Sequence, residues 1–439
     1  MITKHTFLQL FFEQLNKKRI FYFVYGSYFS LPIDTGGSDI DIVVEEGKID
    51  QTEKILLEIA KSGNVSLASK YNNTTTRFYR FLTEFWGVQI DVSYKGFCYR
   101  GVSYFPTDRL CQDIIVHNGI VQVLEEHRGF YVDYFKEVIH NGKVKAKYAN
   151  ALVNHIKKHE TFCLAEISQL FGKKCSLLVA DHLTIEGATS IARPLQRMIH
   201  MRMYKRHFIK IILDRIYSMK RLFSPSPGYV IVVEGTDGSG KSTIINHITP
   251  ILNECFHNFV VYNHLRPKLI PDLGSILGKK EKKEDNIVHC NPHEQPQSGL
   301  LVSLFRWGYY MIDYTIGYMV KVWPQIHSKS KVFIFDRYYY DYYWDQKRSR
   351  TKLPMWIIKF GEMILPTPDL ILCLGGDPSK IYERKPETSL AEVQRQSIMI
   401  KQFCLNHNNA MWVDTTIGIE ESCKASMSFC YKMLSKRFK

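Results

Sequence analysis

The C-terminal part of the chain alternates short apolar runs with longer stretches of helical periodicity. "YVIVVE" (from Tyr229), "FVVYNHL", "KVFIFD", "DLILCLG" and "AMWVDT" are rich in β-branched or aromatic side chains, and helical patterns separate them. That rhythm predicts βαβ units around a parallel sheet. Residues 1–115 read differently: a helix, the run "FYFVYGS", the hairpin-like "SDIDIVVE", a second helix, then "FYRFLT" and "VQIDVSY". They predict an α+β domain with a mixed or antiparallel sheet. Residues 116–225 are mostly helical in pattern and end in the proline-containing stretch "SPSPG", Ser224–Gly228. The expected organisation is therefore a small mixed-sheet domain over 1–115, a mostly helical connector over 116–225 and a parallel α/β domain over 226–439.

Composition sharpens this picture. At 439 residues the chain exceeds one ordinary core, and its 45% hydrophobic content excludes global disorder. Ten cysteines (Cys98, Cys111, Cys163, Cys175, Cys255, Cys290, Cys373, Cys404, Cys423, Cys430) include no C-x-x-C pair. That argues against a zinc site or disulfide framework and fits a reducing, cytoplasmic setting. No apolar run approaches the roughly 20 residues of a membrane span. The opening "MITKHTFLQLFFEQLNKK" is broken by Glu13 and lacks a small-residue cleavage site, so an amphipathic helix is expected rather than a signal peptide.

A net charge of +15 asks for a polyanionic partner: nucleotide, nucleic acid or an acidic membrane face. A helix predicted over 196–222 sets Arg197, Arg202, Lys205, Arg206, Lys210, Arg215, Lys220 and Arg221 against the lone acid Asp214. It reads first as a connecting helix with one buried stripe and one solvated face, and second as a peripheral contact with anionic membrane or nucleic acid.

Chemistry enters at Gly235-Thr-Asp-Gly-Ser-Gly240-Lys241-Ser242, which satisfies G-x-x-x-x-G-K-[ST] between an apolar run and a helical pattern. Gly235, Gly238 and Gly240 let the backbone curl so that N–H groups face phosphate oxygens, and the following helix adds the positive end of its dipole. Ser239 and Thr243 belong to the same run; Lys241 would reach the outer phosphates and Ser242 would ligate Mg2+. In "KVFIFDRYYYDYYWDQKR", Asp336 ends a strand pattern, where a second metal ligand belongs, and Arg337 would face the transferred phosphate or an anionic acceptor.

From Tyr229 to the tail the chain resembles thymidylate kinase and its relatives. "VEGTDGSGKST", with Glu234 and Asp237, is similar to that family's phosphate loop, and "HLRP" resembles the place where the family has an arginine, here Arg266. "LLVSLFRWGYY" resembles the helix that carries an acceptor-phosphate arginine, here Arg306, and "FDRYYYD" resembles the Asp-Arg-aromatic motif. "DPSKIYERKPETSLAEVQRQ" resembles the approach to a mobile lid, with Arg384 and Arg395 as basic candidates. The resemblance implies ATP and Mg2+, Asp237 near an acceptor sugar, Lys241 and lid arginines on the transferred charge, and Arg306 and Arg337 on the acceptor.

The chain departs from the family where a pyrimidine would be read: "YYYDYYWDQKR" replaces serine and glutamine positions, and Trp-Gly-Tyr-Tyr follows Arg306. A tyrosine-rich cleft with Tyr338, Asp341 and Asp345 suits a hydroxyl-rich acceptor, because aromatic faces stack on sugar rings and carboxylates accept from hydroxyls. The same combination looks like thymidylate-kinase-like proteins associated with bacterial surface-glycan synthesis.

In the N-terminal domain, Gly26-Ser27 follows an apolar run and Asp39-x-Asp41 comes shortly after. Strand alternation puts Asp39 and Asp41 on one face, and Asp91 lies inside the apolar "VQIDVSY", where a lone carboxylate needs a reason. Three carboxylates around two Mg2+ ions would align an attacking oxygen with an α-phosphate while Gly26 and Ser27 cradle the outer phosphates. This resembles minimal members of the DNA-polymerase-β-like nucleotidyltransferase superfamily. Arg77 and Arg80 read as a solvated strand edge or as aids to the triphosphate.

The leading expectation is a bifunctional cytoplasmic enzyme: a kinase that phosphorylates a hydroxyl or phosphate acceptor (sugar, polyol or glycan, not dTMP), fused to a nucleotidyltransferase. The partners are then a nucleoside triphosphate and a small-molecule or glycan acceptor, and a homodimer is compatible. Nucleic-acid end processing is the second reading. It is favoured by charge and disfavoured by the lack of a recognised nucleic-acid module. A thymidylate-type nucleoside monophosphate kinase with a regulatory or defence-related nucleotide-binding domain is the third.

Overall fold

The structure, a computed structural model, describes residues 1–257, 259–273 and 296–438; Cys290 lies outside them. It is mixed α/β, with one mixed sheet, one parallel sheet and many helices. Two compact units divide it: Met1–Phe81 with Gly87–Phe223, and Leu82–Trp86 with Ser224–Lys439.

The mixed sheet has the order β3-β4-β5-β2-β1-β9-β8. Its strands are β1 (Tyr22–Tyr25), β2 (Ile40–Val44), β3 (Ser66–Asn72), β4 (Thr76–Leu82), β5 (Gly87–Ser93), β8 (Ile114–His117) and β9 (Val121–Leu124). Strands β6 (Phe97–Tyr99) and β7 (Val102–Phe105) form a separate ribbon. β1 and β2 are antiparallel, whereas β2 runs parallel to β5 and β1 parallel to β9. The first helix, Lys4–Lys17, starts where Thr3 accepts from the Thr6 N–H, and it buries Phe7, Leu8, Phe11, Phe12 and Leu15 as one stripe.

The sheet does not stop at residue 115, where the sequence pattern suggested a boundary. β8 and β9 continue it beyond β1, whose hydrogen-bonding edge would otherwise be open. The helices after them belong to the same core. Tyr131, Phe135 and Val138 of helix Glu126–Asn141, together with Leu152, Ile167 and Leu195 of later helices, share one buried cluster with Phe23, Val43 and Phe105. Amphipathic helices must cover their apolar stripes, and here the sheet and ribbon supply the cover.

A buried ion pair pins this core. Arg128 Nη1 donates to Glu166 Oε2 at 2.6 Å, with the guanidinium 5.0 Å from the Tyr131 ring. Glu166→Ala would leave the buried Arg128 cation to the partly exposed Asp113 carboxylate at 3.4 Å and the Arg109 carbonyl, so unfolding free energy should drop by about 3 kcal/mol, read as a lowered denaturant midpoint.

The parallel sheet comprises β10 (Tyr229–Gly235), β11 (Val260–His264), β12 (Val332–Asp336), β13 (Leu370–Gly375) and β14 (Ala410–Asp414), in the order β11-β12-β10-β13-β14. All of its pairings are parallel. These are the five apolar runs of the sequence. β10 lies at the centre with every residue buried, and the chain leaves it for β11 on one side and reaches β13 on the other. Such a reversal of strand order opens a crevice beyond the strands' carboxyl ends.

Candidate active sites

The glycine-rich loop occupies that crevice. Gly238 and Gly240 have φ of 81° and 83°, and a Cβ on Gly238 would sit 2.6 Å from the Ile381 carbonyl oxygen, so both positions require glycine. Gly240 caps the helix Lys241–Cys255, whose first N–H groups have no intrahelical acceptor. Lys241 is buried and arches back over the loop, donating to the Gly235 and Thr236 carbonyls at 2.9 Å each. Burial, reinforced by the Arg337 charge, lowers its pKa to about 8.

Several buried oxygens here lack hydrogen-bond partners: Thr236 Oγ1, Ser239 Oγ, Glu234 Oε2 and Asp336 Oδ1. Orphan polar atoms gathered at one loop mark a place that a polar ligand completes. Asp336 ends β12 and accepts from the Tyr262 hydroxyl at 3.0 Å through its other oxygen. Ser242, Thr243 and Asp336 line one cavity of about 480 Å³ with Lys241, Arg384 and Lys385. The hydroxyl and the free carboxylate oxygen are the hard donors that Mg2+ prefers.

Arg337 crosses the wall of this cavity. It is buried, with a left-handed φ of 68° that costs a non-glycine residue strain, and such strain concentrates at functional sites. Its guanidinium donates to Asp237 Oδ1 at 2.7 Å and to both Asp341 oxygens at 3.1 Å. Burial alone would raise the Asp237 carboxyl, but Arg337, Arg348 and Lys241 outweigh it and hold the group well below the usual carboxylate range. Arg348 pairs with Asp237 and donates to Asp345 at 3.2 Å.

Arg348 also lines a second cavity of about 400 Å³, whose walls include Arg266, Arg306, Arg350, Tyr310, Tyr314, Tyr338, Tyr342, Asp341 and Asp345. Arg266 is ion-paired with Asp313 and Asp272 and lies 4.5 Å from the Tyr310 ring. Arg306 donates to the Ser349 and Arg350 carbonyls at 3.0 and 3.2 Å.

No protein-family model matches the chain, and no curated protein does. Among solved structures, a thymidylate kinase from Ehrlichia chaffeensis is similar, with 19% identity, over 47% of this chain and 99% of that one. The TM-score is 0.30, and a likeness of that degree assigns no function.

The structure brings most of the residues singled out in the C-terminal sequence to one of the two cavities, but not all. Arg395 lies outside both: it pairs with Glu392 one turn away on its helix and donates to the Trp344 carbonyl. The tyrosine run is also divided. All five of Tyr338, Tyr339, Tyr340, Tyr342 and Trp344 are buried, but only Tyr338 and Tyr342 also line the second cavity; Tyr340 and Trp344 pack on Phe403, and the Tyr339 hydroxyl donates to the Ile358 carbonyl.

In the first unit, register builds the site. Asp41 stands opposite Asp91 in the parallel pair β2–β5, and Asp39 precedes Asp41 by two residues. Carboxylate oxygens of all three lie within 4.8 Å of one another. Burial, and then the charges of Asp39 and Asp41, push the Asp91 carboxyl well above its ordinary range. A proton on Asp91 or a bound cation would relieve such crowding, and three oxygen donors suit Mg2+. Gly26 holds φ of 82° beside Asp41, and Ser27 is exposed in the same loop.

Sequence reasoning missed several neighbours. Lys136, on helix Glu126–Asn141, donates to Asp41 Oδ2 at 2.8 Å and lies 5.2 Å from the Tyr25 ring. One turn before it, burial raises Asp133 to about 6. Arg80 is buried, not a solvated edge; its Nε donates to Gln89, and Gln89 donates to Asp91 at 2.9 Å. Arg77 instead pairs with Asp50 and Glu53. In the second unit Arg348 and Lys385 were overlooked; the basic run "DQKRSRTK" was the available signal for Arg348.

Proposed function

We propose that the second unit transfers the γ-phosphoryl group of ATP to an acceptor held in the neighbouring cavity. The observation that carries this reading is the set of orphan oxygens on β10, the glycine-rich loop and the end of β12, ahead of a glycine-capped helix, with Lys241 folded over the loop. Lys241 would exchange its two carbonyl contacts for phosphate oxygens, which costs it little reorganisation. Arg337 and Arg348, held by Asp237, Asp341 and Asp345, would fix the acceptor end without swinging. Bound Mg2+, held by Ser242 and Asp336, would neutralise charge on the transferred group.

The acceptor cavity is of small-molecule size. Its carboxylates Asp341 and Asp345 favour an acceptor with hydroxyls, and Arg266, Arg306 and Arg350 favour an anionic substituent as well. A sugar or polyol derivative, or a glycan end, meets both demands. For the first unit we propose nucleotidyl transfer from an NTP, with Asp39, Asp41 and Asp91 holding Mg2+ and Gly26 and Ser27 near the outer phosphates.

The test is a panel of sugars, polyols, their phosphates and nucleotides incubated with ATP and Mg2+, read by 31P NMR and mass spectrometry. A phosphorylated sugar-type acceptor is expected. With dTMP little dTDP should form, because Tyr338, Tyr342 and Asp341 stand in the cavity. Turnover of dTMP at kcat/KM of about 10⁴ M⁻¹s⁻¹ or above would overturn the acceptor assignment.

A further inference from the structure

The helix Ala192–Arg221 has two halves, divided at His207, where φ of −129° and ψ of 28° leave helical geometry. Before the break, Leu195, Ile199 and Met203 are buried in the core of the first unit. Beyond it only Ile211 and Asp214 are buried, and Asp214 accepts from the Thr74 hydroxyl at 2.7 Å. Phe208, Ile209, Ile212, Leu213, Ile216 and Met219 are 41–72% exposed. At about 100° per residue these six fall within an arc of roughly 140°, on the side opposite Ile211 and Asp214.

The exposed charge on this segment is all of one sign. Lys205, Arg206, Lys210 and Arg215 are exposed, while Asp214, the only acid between Glu186 and Glu234, is turned to the core and hydrogen-bonded. A polyanion alone would leave six apolar side chains in water, and an apolar protein groove would leave the cations without partners. An interface of acyl chains and anionic headgroups satisfies both. Among the described residues no helix is long and apolar enough to cross a membrane, so the contact would lie along the surface.

We propose that residues 208–219 dock the protein on a membrane surface rich in anionic lipid. The six apolar side chains would enter the headgroup boundary, and Lys205, Arg206, Lys210 and Arg215 would face lipid phosphates. Sedimentation of the full chain with vesicles tests this, using phosphatidylcholine alone and phosphatidylcholine mixed with phosphatidylglycerol. The protein should follow the anionic vesicles, and added salt should weaken binding. Lys210→Ala with Arg215→Ala should lower partitioning about 30-fold, each basic residue being worth about fivefold at an anionic surface. Ile212→Asp with Ile216→Asp should lower it about 100-fold or more. All four positions are exposed, so melting temperature and circular dichroism should not change; were the isoleucine pair to misfold, the basic pair and the salt series still decide. Wild type left in the supernatant with both vesicles overturns the proposal, as does equal binding to neutral vesicles. A dimer that ignores vesicles and becomes monomeric in the isoleucine variant would give the face to a second copy and overturn it too.

Discussion

Lys241→Ala is expected to lower kcat/KM for phosphoryl transfer by about 10³-fold or more while leaving the fold intact. The ammonium is the charge poised over the loop, and preorganised charge of this kind is worth several kcal/mol as a phosphoryl group leaves. Stability should hardly change, because Lys241 is buried against two carbonyls and its charged form is already disfavoured by burial. A coupled assay for ADP release, with a melting curve for each protein, checks both halves of the expectation. A well-folded variant that consumes ATP as fast as wild type would sink the phosphate-loop assignment.

Asp39→Asn together with Asp41→Asn should abolish pyrophosphate release from any NTP and leave phosphoryl transfer by the second unit intact. The amides keep the shape of the carboxylates and remove two of the three charges that a metal would bind. Folding should survive, since the substitutions relieve the repulsion that raises Asp91; the cost is the Asp41 contact to Lys136. Pyrophosphate and ADP assays on the same preparations separate the outcomes. Loss of both activities would mean one composite site. A wild type that never releases pyrophosphate would make the first unit a binding module.

The parallel sheet was legible because each strand is a contiguous apolar run, buried on both faces, and contiguity survives in one dimension. The phosphate loop was legible for the same reason: its glycines, lysine and serine are neighbours in the chain. The extent of the mixed sheet was not. β8 and β9 are short, and β8 carries exposed Ile115 and Val116, so neither stands out from the helical pattern around them. Their membership in the sheet depends on pairing with β1, about a hundred residues earlier.

What the sequence by itself determined is therefore local: which runs become strands, which loop must be glycine, and which two aspartates share a face. Tertiary structure decided the rest. Parallel register put Asp91 beside Asp41. Helix packing brought Lys136 to that pair across 95 residues of chain. In the second unit the fold took Arg348 to Asp237, sent Tyr340 and Trp344 into the core and tied Arg395 to Glu392 and the Trp344 carbonyl, away from the cavities. A long, flexible cation can satisfy its charge with any carboxylate the fold brings near. Its partner depends on where the backbone passes, and spacing along the chain does not encode that.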